Sequence, residues 1–143
     1  MLQKKSLFYS RLFLVIVLCL SLSACNQVAV ESNVWSEALY TENAEFGDGE
    51  KTALVEVVAE DKSVTFTIHS DKATLGEALV EHGLVEGEQG AYGIYVKKVN
   101  GILADYNKNQ TYWGFYKDGE SVMTGLDGAE FNDGEHYELV YTK

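Results

Sequence analysis

The amino-acid sequence predicts an α+β domain, in which a mixed β-sheet carries one short helix across a face. Three observations favour this class. Most apolar segments alternate with polar residues at period two, which is typical of strands with one buried face. A single segment combines helical spacing with a helix-start signal. The strands and the helix are segregated along the chain, which favours α+β over a regular strand–helix alternation.

The first 25 residues are not expected to belong to this domain. Lys4, Lys5 and Arg11 form a positively charged start, residues 12–22 form an apolar run, and small residues precede Cys25. This pattern resembles the bacterial lipoprotein signal, which implies removal of residues 1–24 and lipid attachment to Cys25. The protein would then be exported and anchored by lipid to the outer face of the bacterial cell membrane. An ordinary secretory signal or a short buried helix are the alternatives.

Cysteine content and charge restrict the possible functions. Cys19 lies in the predicted signal and Cys25 is the predicted anchor, so the mature domain has no thiol for a disulfide, a metal or a nucleophile. Removing the three basic residues of the signal from a total of 11 leaves eight against 22 acidic residues, a net charge of −14. Such a surface repels phosphate backbones, so nucleic-acid binding is not expected.

Residues 25–50 are predicted to form a lipid-anchored acidic tether. The stretch 31–50 contains six acidic residues and no basic residue, and like charges extend a linker. Trp35, Tyr40 and Phe46 argue against complete disorder and indicate that the later part can pack on the domain. The domain itself is predicted to span residues 51–143.

The domain opens with a predicted hairpin and helix. Residues 54–58 and 64–68 are rich in β-branched residues and flank a polar turn at 60–62. Thr74 and Glu77 then have capping-box spacing at the start of a helix of about ten residues. The apolar stripe of this helix consists of Leu75, Ala78 and Leu79, and Gly83 ends it.

The C-terminal half is predicted to contain four strands, and its aromatic residues concentrate between Gly93 and Tyr116. Asn100-Gly101 and Asp118-Gly119 are turn signals between strands. The predicted strands are residues 92–99, 111–117, 120–123 and 135–142. Strand parity places Trp113 and Phe115 on one face and Tyr112 and Tyr116 on the other. We expect the Trp113 face to be core and the tyrosine face to be more open.

Several segments of this half, taken in order, resemble a known family. They are GIYVKKVNG at 93–101, TYW at 111–113 and DGEH at 133–136, preceded by the helix that opens at Thr74-Leu75. Together they resemble the C-terminal β-domain of the cobalamin carriers transcobalamin and intrinsic factor, and the bacterial exported proteins that carry this domain alone. The resemblance covers roughly residues 64–142 and implies a β-grasp-like fold. Two departures are Ile94 in place of the carriers' proline, and the lack of their large helical domain.

The resemblance implies a ligand site at one edge of the domain, with a cobalamin-like corrinoid as the suggested cofactor. By position, the carriers' contacts fall on Tyr95, on Phe115 and on the segment Val122-Met123-Thr124. With the neighbouring aromatic residues, the predicted ligand-binding set is Tyr95, Tyr112, Trp113, Phe115, Tyr116, Val122, Met123 and Thr124.

Three functions remain open from the sequence. The first is a surface-tethered binder of cobalamin or another flat molecule, which could deliver it to an uptake system. The second is a non-enzymatic module that contacts proteins or glycans at the cell surface. The third is a divalent metal-binding lipoprotein, although the three histidines have no metal-motif spacing, so no metal ligand is predicted. No catalytic motif is present, so the protein is not expected to be an enzyme.

Overall fold

The structure, a computed structural model, describes residues 33–143, so the predicted signal and Cys25 lie outside the described residues. In the described part, nine strands alternate with two short α-helices and one 3₁₀ helix, Val34–Glu37. The α-helices are α1 (Leu75–Glu81) and α2 (Tyr106–Asn109). The strands are β1 (Ala44–Phe46), β2 (Lys51–Ala59), β3 (Lys62–Ser70), β4 (Val85–Gly90), β5 (Gly93–Val99), β6 (Ile102–Leu103), β7 (Tyr112–Lys117), β8 (Glu120–Ser121) and β9 (His136–Thr142).

These strands form two sheets. The larger has six strands in the order β1-β3-β2-β9-β7-β8 and is mixed, because β1 pairs with β3 and β2 pairs with β9 in parallel. The smaller sheet, β4-β5-β6, is antiparallel. The domain is therefore mostly β with a few short helices, in keeping with the predicted α+β class. The prediction of a single sheet is wrong, because the described residues form two sheets. The β-grasp arrangement stays a prediction.

The predicted hairpin and helix are confirmed. β2 and β3 pair along their whole length around Glu60, which takes the left-handed conformation that the tight turn requires (φ 56°). At the start of α1, Thr74 and Glu77 form the complete capping box. The apolar stripe of α1 is fully buried in the same core as the inward-facing side chains of β2 and β3. The helix is thus stabilised by docking on the larger sheet.

The segment before residue 51 packs on the domain, as its aromatic residues indicated. Residues 33–143 form one compact unit, and Trp35 is only 6% exposed, with its indole N–H donating to the carbonyl of Ala59 at 2.9 Å. β1 adds a parallel strand beside β3. The described acidic residues of this segment are exposed to solvent, whereas Trp35 and Phe46 pack in or against the core.

The Asn100-Gly101 turn is present, and it also holds the N-terminal segment in place. Asn100 is completely buried; its side-chain oxygen accepts from Tyr40 N at 2.9 Å and its amide donates to Tyr40 O at 2.7 Å. This pair of hydrogen bonds satisfies a buried polar side chain. No helix among the described residues is long and apolar enough to cross a membrane.

Candidate functional site

A mostly apolar groove of about 290 Å³ opens between the two sheets, and we call it the β5–β7 groove. β5 forms one wall, β7 and β9 form the floor, and the segment after β8 forms the remaining wall. Its lining residues are Ile94, Tyr95, Val96, Tyr112, Trp113, Phe115, Val122, Met123, Gly125, Leu126 and Leu139. The groove therefore combines aromatic and aliphatic side chains from four parts of the chain.

The floor of the groove follows the predicted strand parity of β7. Trp113 and Phe115 are 8% and 9% exposed, whereas Tyr112 is 41% exposed. The prediction that the Trp113 face is core is confirmed. The indole N–H of Trp113 donates to the carbonyl of Ile102 at 3.3 Å, and its ring packs edge-on against Tyr141. These contacts fix the orientation of the tryptophan at the groove.

The wall after β8 is held by the start of α1. The N–H groups of Leu75 and Gly76 donate to the carbonyls of Ala129 and Leu126, at 2.9 and 3.0 Å. The first N–H groups of a helix have no partner within the helix, so these bonds satisfy them. Met123, by contrast, is 92% exposed at the mouth of the groove. The wall is thus anchored at its C-terminal end and open at Met123.

Asp127 joins this wall to β5. Its carboxylate accepts a hydrogen bond from Ile94 N at 2.9 Å. Glycines leave room for the carboxylate: a Cβ on Gly76 would lie 2.3 Å from Asp127 Oδ1, and one on Gly93 would lie 3.1 Å from the Asp127 side chain. Asp127 therefore sets how closely the wall approaches β5.

Six of the eight predicted ligand-binding residues line this one groove: Tyr95, Tyr112, Trp113, Phe115, Val122 and Met123. Tyr116 does not line the groove, and its ring lies over Gly114. Thr124 does not either; it packs against Gly128 and is exposed. The sequence prediction missed Ile94, Val96, Gly125, Leu126 and Leu139. Strand alternation could have indicated Ile94 and Val96, which lie on the face of β5 opposite to Tyr95. Only the fold, however, brings Leu139 beside Phe115.

A second, more polar pocket of about 460 Å³ lies beside residues 47–49, with His69 and His82 in its lining. His69 is engaged on both ring nitrogens, by Glu45 at 2.5 Å and by Thr52 at 2.9 Å. His82 Nε2 is buried and has no hydrogen-bond partner among the described residues. Nowhere in residues 33–143 do three His, Cys, Asp or Glu side chains come together in a way that could hold a metal ion.

An ionic cluster links β7 to the start of β9. Glu135 accepts hydrogen bonds from Lys117 and from the hydroxyl of Tyr137, and the same hydroxyl lies 2.8 Å from Glu130 O. Burial would raise the pKa of Glu135, but the hydrogen bonds from Lys117 and Tyr137 outweigh it and hold the pKa below its usual value. Burial, and then the bond to Glu135, raise the pKa of Tyr137. The cluster is structural, since it contributes nothing to the groove lining.

Several solved structures share this fold, including the following two. A protein from Ruminococcus gnavus ATCC 29149, described as a "putative metal binding protein", is 36% identical, with a TM-score of 0.62 over 66% of this chain and 98% of its own. Haptocorrin in complex with Cbi is 17% identical, with a TM-score of 0.56 over 68% of this chain. The match covers 26% of haptocorrin, and at this identity it shows the fold alone.

The expected resemblance to the cobalamin carriers is thereby supported at the level of fold, since haptocorrin belongs to the transcobalamin family. No curated protein matches the chain. A family model described as "Domain of unknown function (DUF4430)" matches residues 72–143, which include α1 and every strand of the groove. The chain belongs to the DUF4430 family.

Proposed function

We propose that this protein is a non-enzymatic binding module that holds a small, largely apolar ligand in the β5–β7 groove. One observation carries the proposal: six residues that the sequence singled out for ligand contact line a single apolar groove. An apolar concave surface with a few polar groups at its rim is the usual form of a small-molecule site. The fold shared with a Cbi-binding carrier supports the same reading.

The ligand is uncharged or cationic. The chain carries a net charge of −11, and Lys97, whose ammonium lies 5.6 Å from the ring centre of the groove residue Tyr95, is paired with Glu88 at 3.4 Å. An anion would therefore meet a repulsive field. Cobalamin or another flat cofactor remains the family-suggested candidate. The groove volume of about 290 Å³ is small for a ligand pocket, so the groove would contact a corrinoid along one edge only.

Titration with aquacobalamin tests this function directly. The purified full chain in detergent is mixed with aquacobalamin, other corrinoids and haem, and binding is followed by absorbance, co-elution and calorimetry. We expect Tyr112→Ala to weaken binding, because Tyr112 lines the groove. Tyr106→Ala is the matched control, since Tyr106 is also an exposed tyrosine but lies outside the lining. Absence of heat and of co-elution with every one of these compounds would refute the flat-ligand proposal.

A divalent metal is the second candidate, because of the description of the R. gnavus protein. The donors of this chain fit it less well: His69 is already engaged, and no described group of three ligands exists. The one favouring observation is the buried, unpartnered His82 Nε2 beside the polar pocket. Calorimetric titration of the chain and of the His82→Gln variant with Zn²⁺ tests metal binding at His82. A binding heat that is present in the parent and absent in the variant would establish this site.

We also propose that the protein is anchored to the membrane by lipid on Cys25, as the predicted lipoprotein signal implies. With Cys25 lipid-modified, the domain would sit at the outer face of the bacterial cell membrane and could pass its ligand to an uptake system. Mass spectrometry of the mature N-terminus tests this. A diacylglyceryl-modified Cys25 is the expected result, and an unmodified chain that still contains residues 1–24 would contradict it.

A further inference from the structure

Among residues 33–143, part of the β7 edge that adjoins the groove has no paired strand. In an antiparallel strand, successive residues point their N–H and C=O groups to alternate sides. The C=O of Phe115 accepts from Val122 N at 2.9 Å, on the side away from β9. Trp113 lies two residues earlier, so its N–H and C=O point to that same side.

No strand pairs with Trp113 there. β8 pairs only with the last two residues of β7, and within the described residues no other strand joins β7 on this side. An unpaired strand edge next to an apolar surface is the arrangement to which extended peptides add as a further strand. Backbone pairing would supply affinity, and alternate side chains would enter the groove.

The ends of the groove limit the length of such a peptide. At one end, Asp127 bonds Ile94 and closes the approach between the wall and β5. At the other, the indole of Trp113 bonds Ile102 at the start of β6. Met123 lines the groove and is 92% exposed, so the open face beside it favours the entry of a short segment.

We infer that the ligand of the β5–β7 groove is a short, uncharged or basic oligopeptide, which binds in extended form by pairing with the edge of β7 at Trp113. This inference rests on the proposed function and names the ligand class. The peptide's own N–H and C=O groups would exchange hydrogen bonds with those of Trp113. One of its apolar side chains would contact the groove floor at Trp113 and Phe115. The acidic surface excludes acidic peptides.

The probe is acetyl-Val-Tyr-Val-amide, titrated into the full chain in detergent and followed by calorimetry and amide hydrogen exchange. Two N-methylated versions are compared with it, one methylated at the central residue and the other at both outer residues. Since only alternate residues face β7, one version should lose about tenfold or more in affinity while the other keeps most of it. Exchange of the Trp113 amide should slow on saturation.

The outcomes separate the two proposals. Equal affinity of all three peptides, or an unchanged Trp113 amide, would refute strand pairing. Binding of a corrinoid or haem, without binding of the peptide, would refute the peptide class and leave the small-molecule function standing. Failure of every probe would reject both. A glutamate-containing peptide that binds more tightly than its lysine counterpart would contradict the charge argument.

Discussion

Removal of the Asp127 carboxylate is the sharpest test of how the candidate site is built. Asp127→Ala leaves the N–H of Ile94 without its partner, and a hydrogen bond to a charged group contributes about 1.5–3 kcal/mol. Because Asp127 is only half-buried, water can replace part of the interaction. We therefore expect a loss at the lower end, about 1.5 kcal/mol, in the anchoring of the wall to β5.

Amide hydrogen exchange measures this local effect. A loss of about 1.4 kcal/mol corresponds to about tenfold faster exchange at Ile94, whereas amides in the β2–β3 hairpin should change little. Asp127→Asn is the matched control, since it keeps an acceptor oxygen of the same length and should retain much of the protection. Gly76→Ala should mimic Asp127→Ala, because the new Cβ would lie 2.3 Å from the carboxylate. If Asp127→Ala leaves Ile94 exchange unchanged, Asp127 does not hold the wall.

Three further substitutions test the fold and the groove. Tyr137→Phe should lower the free energy of unfolding by about 1.5 kcal/mol at pH 7; Tyr141→Phe, on the same face of β9, should change it by less than about 0.5 kcal/mol. The raised pKa of Tyr137 means that its contribution is complete below about pH 10 and is lost as the pH rises, so urea midpoints between pH 8 and 11 should fall less steeply in Tyr137→Phe. Trp35→Ala should cost about 3–5 kcal/mol in thermal or urea unfolding, and a much smaller loss would mean that residues 33–50 contribute little to the domain. Met123→Ala should leave unfolding within about 0.5 kcal/mol of the parent, yet weaken binding of whichever probe occupies the groove; equal affinity would remove Met123 from the site.

The parts of the fold that could be predicted from the sequence depend on neighbours in the chain. The capping box of α1, the β2–β3 turn and the parity of β7 are each set within a few residues, by side-chain chemistry or by the strand period. The same parity placed Trp113 and Phe115 at the floor of the groove. Tyr112 and Tyr116 were predicted together as the more open tyrosine face, but only Tyr112 lines the groove.

The missed parts depend on pairing between distant segments. β4 reads VEGEQG, without alternation or β-branched content beyond its first residue, and it is a strand because β5 pairs with it. A bulge at Glu86/Gly87 shifts its register, and a Cβ on Gly87 would lie 2.2 Å from Tyr95 O. β1 is only three residues long and pairs in parallel with β3, although β2 lies between them in the chain. Neither β1 nor β4 has a local sequence pattern that predicts a strand. One sheet was therefore predicted, whereas the described residues form two.

The groove exists because the segment after β8 bonds to the start of α1 rather than to the edge of β7 at Trp113. If this segment continued as a strand, it would cover the edge of β7 at Trp113. Instead it leaves β8 after two residues and crosses to α1, where Leu126 and Ala129 supply acceptors for the first N–H groups of the helix. The short helix needs those acceptors, and Asp127 ties the diverted segment to β5 on the way. The first N–H groups of the helix thus gain acceptors, while among the described residues the edge of β7 at Trp113 is left without a paired strand. This edge lies beside the apolar floor of the groove, and a ligand with backbone-like hydrogen-bonding groups would pair with it there.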